Sequence, residues 1–124
     1  MGMTKFIVLL MSILIIAACN SGGSDDPATA VESYLQAKID GDADTVRRLL
    51  CSEMESVWER EAGTFASVSG VRAESMACTY TGDDRVSCEG KIVAVYGTEE
   101  TEFPLVNYRV VEEDGQWKWC GETQ

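Results

Sequence analysis

Histidine is absent from the 124 residues, proline occurs twice, and only 10 Lys and Arg stand against 21 Asp and Glu, a formal charge of −11. Without histidine, Ser-His-Asp and Cys-His catalysis and every histidine-ligated metal site are excluded. The shortage of bases argues against nucleic acid as a partner, because phosphate contacts need clustered Lys and Arg. No C-x-x-C pair occurs, so the five cysteines do not read as a zinc site. Apolar runs are short as well. The longest, Phe6–Ala18, is interrupted only by Ser12 and falls below the roughly 20 residues of a membrane-crossing helix. What remains is an acidic chain of one domain's length with an apolar fraction of 45%, enough for a packed core.

The start of the chain reads as an address. Lys5 is the one charge before the apolar run Phe6–Ile16, and the small residues Ala17 and Ala18 follow. A positive start, a short apolar stretch and small residues define a secretory signal. Ile16-Ala17-Ala18-Cys19 resembles the lipobox of bacterial lipoproteins. The resemblance implies that residues 1–18 are removed as a signal peptide and that the Cys19 thiol carries lipid such as palmitate. Cys19 would then be the membrane anchor of an extracytoplasmic protein, on the cell membrane or the outer membrane. Two or more acyl chains hold durably where one is marginal. Residues 19–26 follow as a flexible tether, since Asn20–Asp26 has no apolar side chain to bury. With Cys19 assigned to lipid, Cys51, Cys78, Cys88 and Cys120 remain, an even number in a compartment where disulfides persist. Three pairings are possible. Cys78 and Cys88 flank a turn near Asp83 and fall opposite each other on a hairpin, which leaves Cys51 for Cys120.

The domain, residues 27–124, divides into helices and then strands. Asp26 caps and Pro27 opens a first helix with Val31, Tyr34, Leu35 and Ile39 on one stripe, ended by Gly41. Asp42 or Asp44 caps a second helix carrying Val46, Leu49 and Leu50. Ser52 and Glu55 read as a capping box for a third short helix with Val57 and Trp58. Gly63–Gly70 reads as a loop. Strands are expected over Val71–Tyr80, Arg85–Tyr96, Thr101–Glu112 and Gln116–Cys120, with Asp114-Gly115 as a hairpin turn. Pro104 marks an edge-like start or a bulge. This pattern is α+β: three N-terminal helices packed on a curved four-stranded antiparallel sheet.

The order of Ala30–Leu35, Gly41-Asp42, Leu49-Leu50 and Asp114–Trp119 resembles the nuclear transport factor 2-like superfamily, and within it the small bacterial lipoproteins of that cone-shaped fold. The resemblance implies an apolar pocket at the open end, used elsewhere in the superfamily for isomerases, dehydratases and simple binding. Tyr34, Trp58, Tyr96, Tyr108, Trp117 and Trp119 are candidates to line it, with Tyr80 a further aromatic. Trp117 and Trp119 share one sheet face. No catalytic cluster is legible, and neither a cofactor nor a metal is expected. Asp40-Gly41-Asp42-Ala43-Asp44 imitates a calcium loop, but the sixth and twelfth positions hold Thr45 and Cys51 instead of Gly and Glu. A helix stop followed by a helix cap explains those residues. The expectation is a non-catalytic, lipid-anchored domain that binds a small apolar ligand or an envelope protein. The alternatives are an isomerase or dehydratase using a pocket carboxylate and a Tyr, and a structural domain that self-associates as a homodimer.

Overall fold

A first helix, α1 (Pro27–Asp40), starts where the sequence places a cap. The structure is a computed structural model, and it describes residues 26–124. The Asp26 carboxylate accepts the Ala28 N–H and the Thr29 hydroxyl, both at 3.0 Å. Gly41 ends the helix at φ 69°, and its N–H returns to the Ala37 and Lys38 carbonyls. Asp42 then caps α2 (Ala43–Leu49), taking the Thr45 N–H at 3.2 Å and the Thr45 hydroxyl at 2.6 Å. Those bonds hold the Asp42 carboxyl below its usual range, the hydroxyl contact being the largest cause. Asp40–Asp44 is thus a stop and a cap, the reading the sequence favours over a calcium loop.

The third helix departs from the expected form. Ser52–Val57 is a 3-10 segment without a side-chain cap, and the α-helical turn, α3 (Trp58–Ala62), follows it. Ser52 does not close a capping box with Glu55. Its N–H and hydroxyl both go to Glu113 across the fold, at 3.0 and 2.8 Å. Glu55 instead pairs with Arg47 at 2.7 Å. A tertiary carboxylate therefore outcompetes the local one.

The sheet has five strands, not four: β1 (Ser69–Gly82), β2 (Arg85–Tyr96), β3 (Glu99–Pro104), β4 (Asn107–Glu113) and β5 (Gln116–Thr123). The expected strand Thr101–Glu112 splits after Pro104. Proline has no N–H to continue a ladder, and Leu105-Val106 steps the chain from one half of β2 to the other. Leu105 donates to the Gly90 carbonyl at 3.0 Å, and Cys88 donates to the Val106 carbonyl at 3.1 Å. The order is β1-β2-β4-β5, with β3 also on β2, and all strand pairs are antiparallel.

Curvature comes from a crossing of two irregular positions. The β1–β2 register shifts between Glu74 and Ala77, where Ser75 adopts φ 54°. Gly90 of β2 sits against it at φ 95°, and a Cβ there would collide with the Ser75 and Glu74 carbonyls. Such a bulge bends a strand and strengthens its twist. The helices fill the hollow. Val31, Tyr34 and Leu35 of α1 and Val46 and Leu49 of α2 pack on Val86, Ile92, Tyr108, Val110 and Trp119. The opposite face of the sheet carries a chain of charges instead: Glu100–Arg72–Glu74–Lys91–Glu102.

Disulfides join Cys51 to Cys120 and Cys78 to Cys88. The first ties the end of α2 to β5, beside the Cys51 N–H bond to the Trp119 carbonyl at 2.9 Å. The second crosses the β1–β2 hairpin between directly opposed residues. Two bridges fit an oxidising compartment. Among the described residues, no helix is long and apolar enough to cross a membrane. Cys19 and the proposed signal lie outside the described residues.

Candidate functional site

A cavity of about 390 Å³ opens between the helices and the hollow of the sheet. Leu35, Ile92 and Leu105 give aliphatic wall, and Phe65, Tyr96, Phe103, Tyr108 and Trp119 give aromatic wall. This volume lies near the lower end of small-molecule sites, about 300–1,000 Å³. The alternation of β2 explains the sheet side of the wall. Ile92, Ala94 and Tyr96 project from one face, and Phe103 pairs with Ile92 across β3.

Of the aromatic candidates, Tyr96, Tyr108 and Trp119 line the cavity, while Tyr34, Trp58 and Trp117 do not. Tyr34 lies behind the wall. It is fully buried and stacks on Trp119, with ring centroids 4.0 Å apart and planes 12° from parallel. Trp58 sits at the helical surface under the Arg47 guanidinium, 4.8 Å from its ring centre. Trp117 packs beside Tyr80, centroids 5.7 Å apart, and is only partly buried. Trp117 and Trp119 have equal parity on β5, but Trp119 is buried and Trp117 only partly so.

The polar part of the site was not legible as a motif. Glu61 of α3 accepts the Tyr34 hydroxyl at 3.0 Å through one oxygen and faces the Lys38 ammonium at 3.5 Å through the other. Both charged side chains are 14% exposed. Lys38 also lies 5.7 Å from the Tyr34 ring centre and 5.6 Å from that of Trp119, within cation–π range. Burial raises the Tyr34 hydroxyl far above the usual phenol range, and the neighbouring Glu61 charge and hydrogen bond add to the rise. It therefore stays a donor. Burial likewise raises Tyr108. Lys38 follows Tyr34 by four residues, so the helical period alone could have placed it beside that ring. Glu61 and Phe65 carried no such signal, because their approach depends on how α3 folds back over α1.

The mouth of the cavity is aromatic. Phe65 and Tyr96 each lie 6.3 Å from Phe103, centroid to centroid. Tyr96 is 45% and Phe103 38% exposed. Among the described residues, one cluster has metal-ligand spacing, Cys51, Glu53 and Cys120, but both of its sulfurs are spent on the disulfide.

No family model matches the chain, and no curated protein matches it. Solved structures do. The solution structure of a SEC-C motif containing protein from Rhodopseudomonas palustris superposes with a TM-score of 0.59 at 12% identity, covering 82% of this chain and 80% of that one. A designed protein of the nuclear transport factor 2-like fold superposes with a TM-score of 0.55 at 13% identity, covering 76% of this chain and 92% of the design. At such identities the likeness concerns fold and not activity. With the design this chain shares an α+β fold of the nuclear transport factor 2-like kind.

Proposed function

We propose that this chain is a lipid-anchored lipoprotein of the bacterial cell envelope whose domain binds a small apolar ligand without transforming it. The single observation that carries the binding reading is the open, aromatic-walled cavity of about 390 Å³. The anchoring reading is supported by Ile16-Ala17-Ala18-Cys19 and by two disulfides that fit an extracytoplasmic address. Radioactive palmitate is expected to label the wild type, and Cys19→Ala is expected to lose the label. Continued labelling of that variant would refute the anchor. For the cavity, an apolar fluorophore is expected to bind the wild type and to be weakened by Phe103→Trp, which fills the mouth. Indifference to that substitution would place the binding elsewhere.

The isomerase or dehydratase reading has one observation in its favour, the carboxylate beside a tyrosine at Glu61 and Tyr34. Against it, both Glu61 oxygens are engaged, and Tyr34 does not line the cavity. A general base must reach the proton it removes. Deuterium uptake beside a ligand carbonyl, abolished by Glu61→Gln, would restore the enzymatic reading. Homodimerisation through the outer sheet would desolvate the charge chain from Glu100 to Glu102, so a monomer is the proposed state. Sedimentation of the full chain in its anchoring environment tests this.

A further inference from the structure

The buried polar groups of the cavity are unbalanced, and the imbalance specifies a ligand. On the acceptor side, each Glu61 oxygen already faces a donor, one the Tyr34 hydroxyl and the other Lys38. On the donor side three groups have protons to spare. Lys38 offers three N–H bonds, and one long contact to Glu61 at 3.5 Å occupies one of them. The Tyr108 hydroxyl accepts the Val106 N–H at 3.4 Å, and its own proton has no acceptor among the described residues. Burial keeps that proton in place. Trp119 is 4% exposed, and its Nε1–H has no partner among the described residues. All three side chains line the same cavity. A buried donor without an acceptor is destabilising, so an acceptor added by a ligand would be favourable there.

Charge decides which acceptor. Lys38 and Glu61 neutralise each other, Glu122 stands at the exposed rim, and the chain carries −11 overall. A carboxylate ligand would meet that field, and an ammonium ligand would meet Lys38. Resting on the binding reading above, we propose that the cavity takes a neutral apolar molecule bearing a carbonyl oxygen, held through Lys38 and Tyr108 with its body against Trp119. The Trp119 Nε1–H is itself covered, so the ligand's body is placed against the ring and its oxygen on Lys38 and Tyr108.

Three probes of one shape test this: acetonaphthone, naphthoate, and ethylnaphthalene, which lacks the oxygen. Titration uses the full chain in lipid nanodiscs with empty nanodiscs as the blank, followed by the tryptophan indole N–H signals. Acetonaphthone should bind about tenfold tighter than ethylnaphthalene, the equivalent of one hydrogen bond, and should move the Trp119 signal while leaving Trp58 and Trp117 in place. Lys38→Met and Tyr108→Phe should each shrink that preference. Two variants are used so that failure of one to fold leaves the other. Equal binding of ketone and hydrocarbon, or tighter binding of naphthoate, overturns the carbonyl assignment while leaving the apolar-site reading standing. If none of the three binds, both readings fall.

Discussion

The two ends of the cavity are built on different principles. At the closed end, Tyr34 stacks on Trp119 at 4.0 Å and bonds to Glu61, and Cys120, next to Trp119 in the chain, is bridged to Cys51. Each group is fixed by at least one neighbour on another element. At the open end, Phe65, Phe103 and Tyr96 touch loosely at 6.3 Å and remain partly in water. The contrast separates stability from access. Side chains held in several directions stabilise the fold, whereas side chains covered on one side can yield to a ligand.

That separation can be broken experimentally. The largest expected effect is at Trp119. Trp119→Ala should cost about 3–5 kcal/mol in denaturant unfolding, because it empties the centre of the closed end. A second large effect is expected at the bridges. In the loop-entropy model the Cys51–Cys120 bridge, with a sequence separation of 69, stabilises by about 4 kcal/mol, and the Cys78–Cys88 bridge, separated by 10, by about 3. Serine pairs at each bridge, compared by thermal unfolding, should rank in that order. Reversal would mean that the unfolded chain already holds the closed end together.

Tyr34→Phe is intermediate. It removes the hydroxyl bonded to Glu61 and should cost about 1–3 kcal/mol, since the carboxylate loses a buried donor. It also has a pH signature. Because the folded Tyr34 value is raised above the ordinary 10.0, its neutral form supports folding below pH 10, and that support is lost as pH rises further. Wild-type melting temperature should therefore fall above pH 10, and the Phe variant should fall less. A parallel pH profile for both would remove Tyr34 from the account.

The smallest effect belongs to the mouth: Phe103→Ala should cost under about 1 kcal/mol, as expected for a surface position, while weakening the apolar probes. A cost as large as that of Trp119→Ala would erase the distinction between the two ends. Acid gives a separate, small test at Glu113. Its carboxyl is held below the ordinary 4.5, first by the Ser52 N–H and then by the Ser52 hydroxyl. The contribution is present above 4.5 and is lost as pH falls through the lower folded value. Glu113→Gln should flatten the acid side of the stability profile.

Local signals in the sequence were strong where one residue type has one physical use. Asp26, Gly41 and Asp42 cap and stop the helices by bonds within a few residues. Asp114 and Gly115 turn β4 into β5 at φ 53° and 76°. Cys78 and Cys88 face each other because a hairpin makes them do so. The signals weakened wherever a distant partner intervened. Ser52 and Glu55 satisfy the capping-box spacing, yet Glu113, 61 residues away, takes the Ser52 donors. Pro104 announced an irregularity, but whether it bent one strand or made two was settled by how Leu105 and Val106 meet β2. Aromatic identity suggested a pocket wall and did not say which rings would form it.

By itself the sequence determined both ends of α1 and the start of α2, the order of helices before strands, and the opposition of Cys78 and Cys88 in the first hairpin. These depend on backbone geometry and on partners close in the chain. Only the tertiary structure decided the five-strand count, the placement of Tyr34 behind the wall rather than in it, and the meeting of Lys38, Glu61, Tyr108 and Trp119 around one cavity. Those contacts join α1, α3, β4 and β5. Their geometry depends on how far the sheet curls at Ser75 and Gly90, a sum over long-range packing that no short stretch of sequence contains.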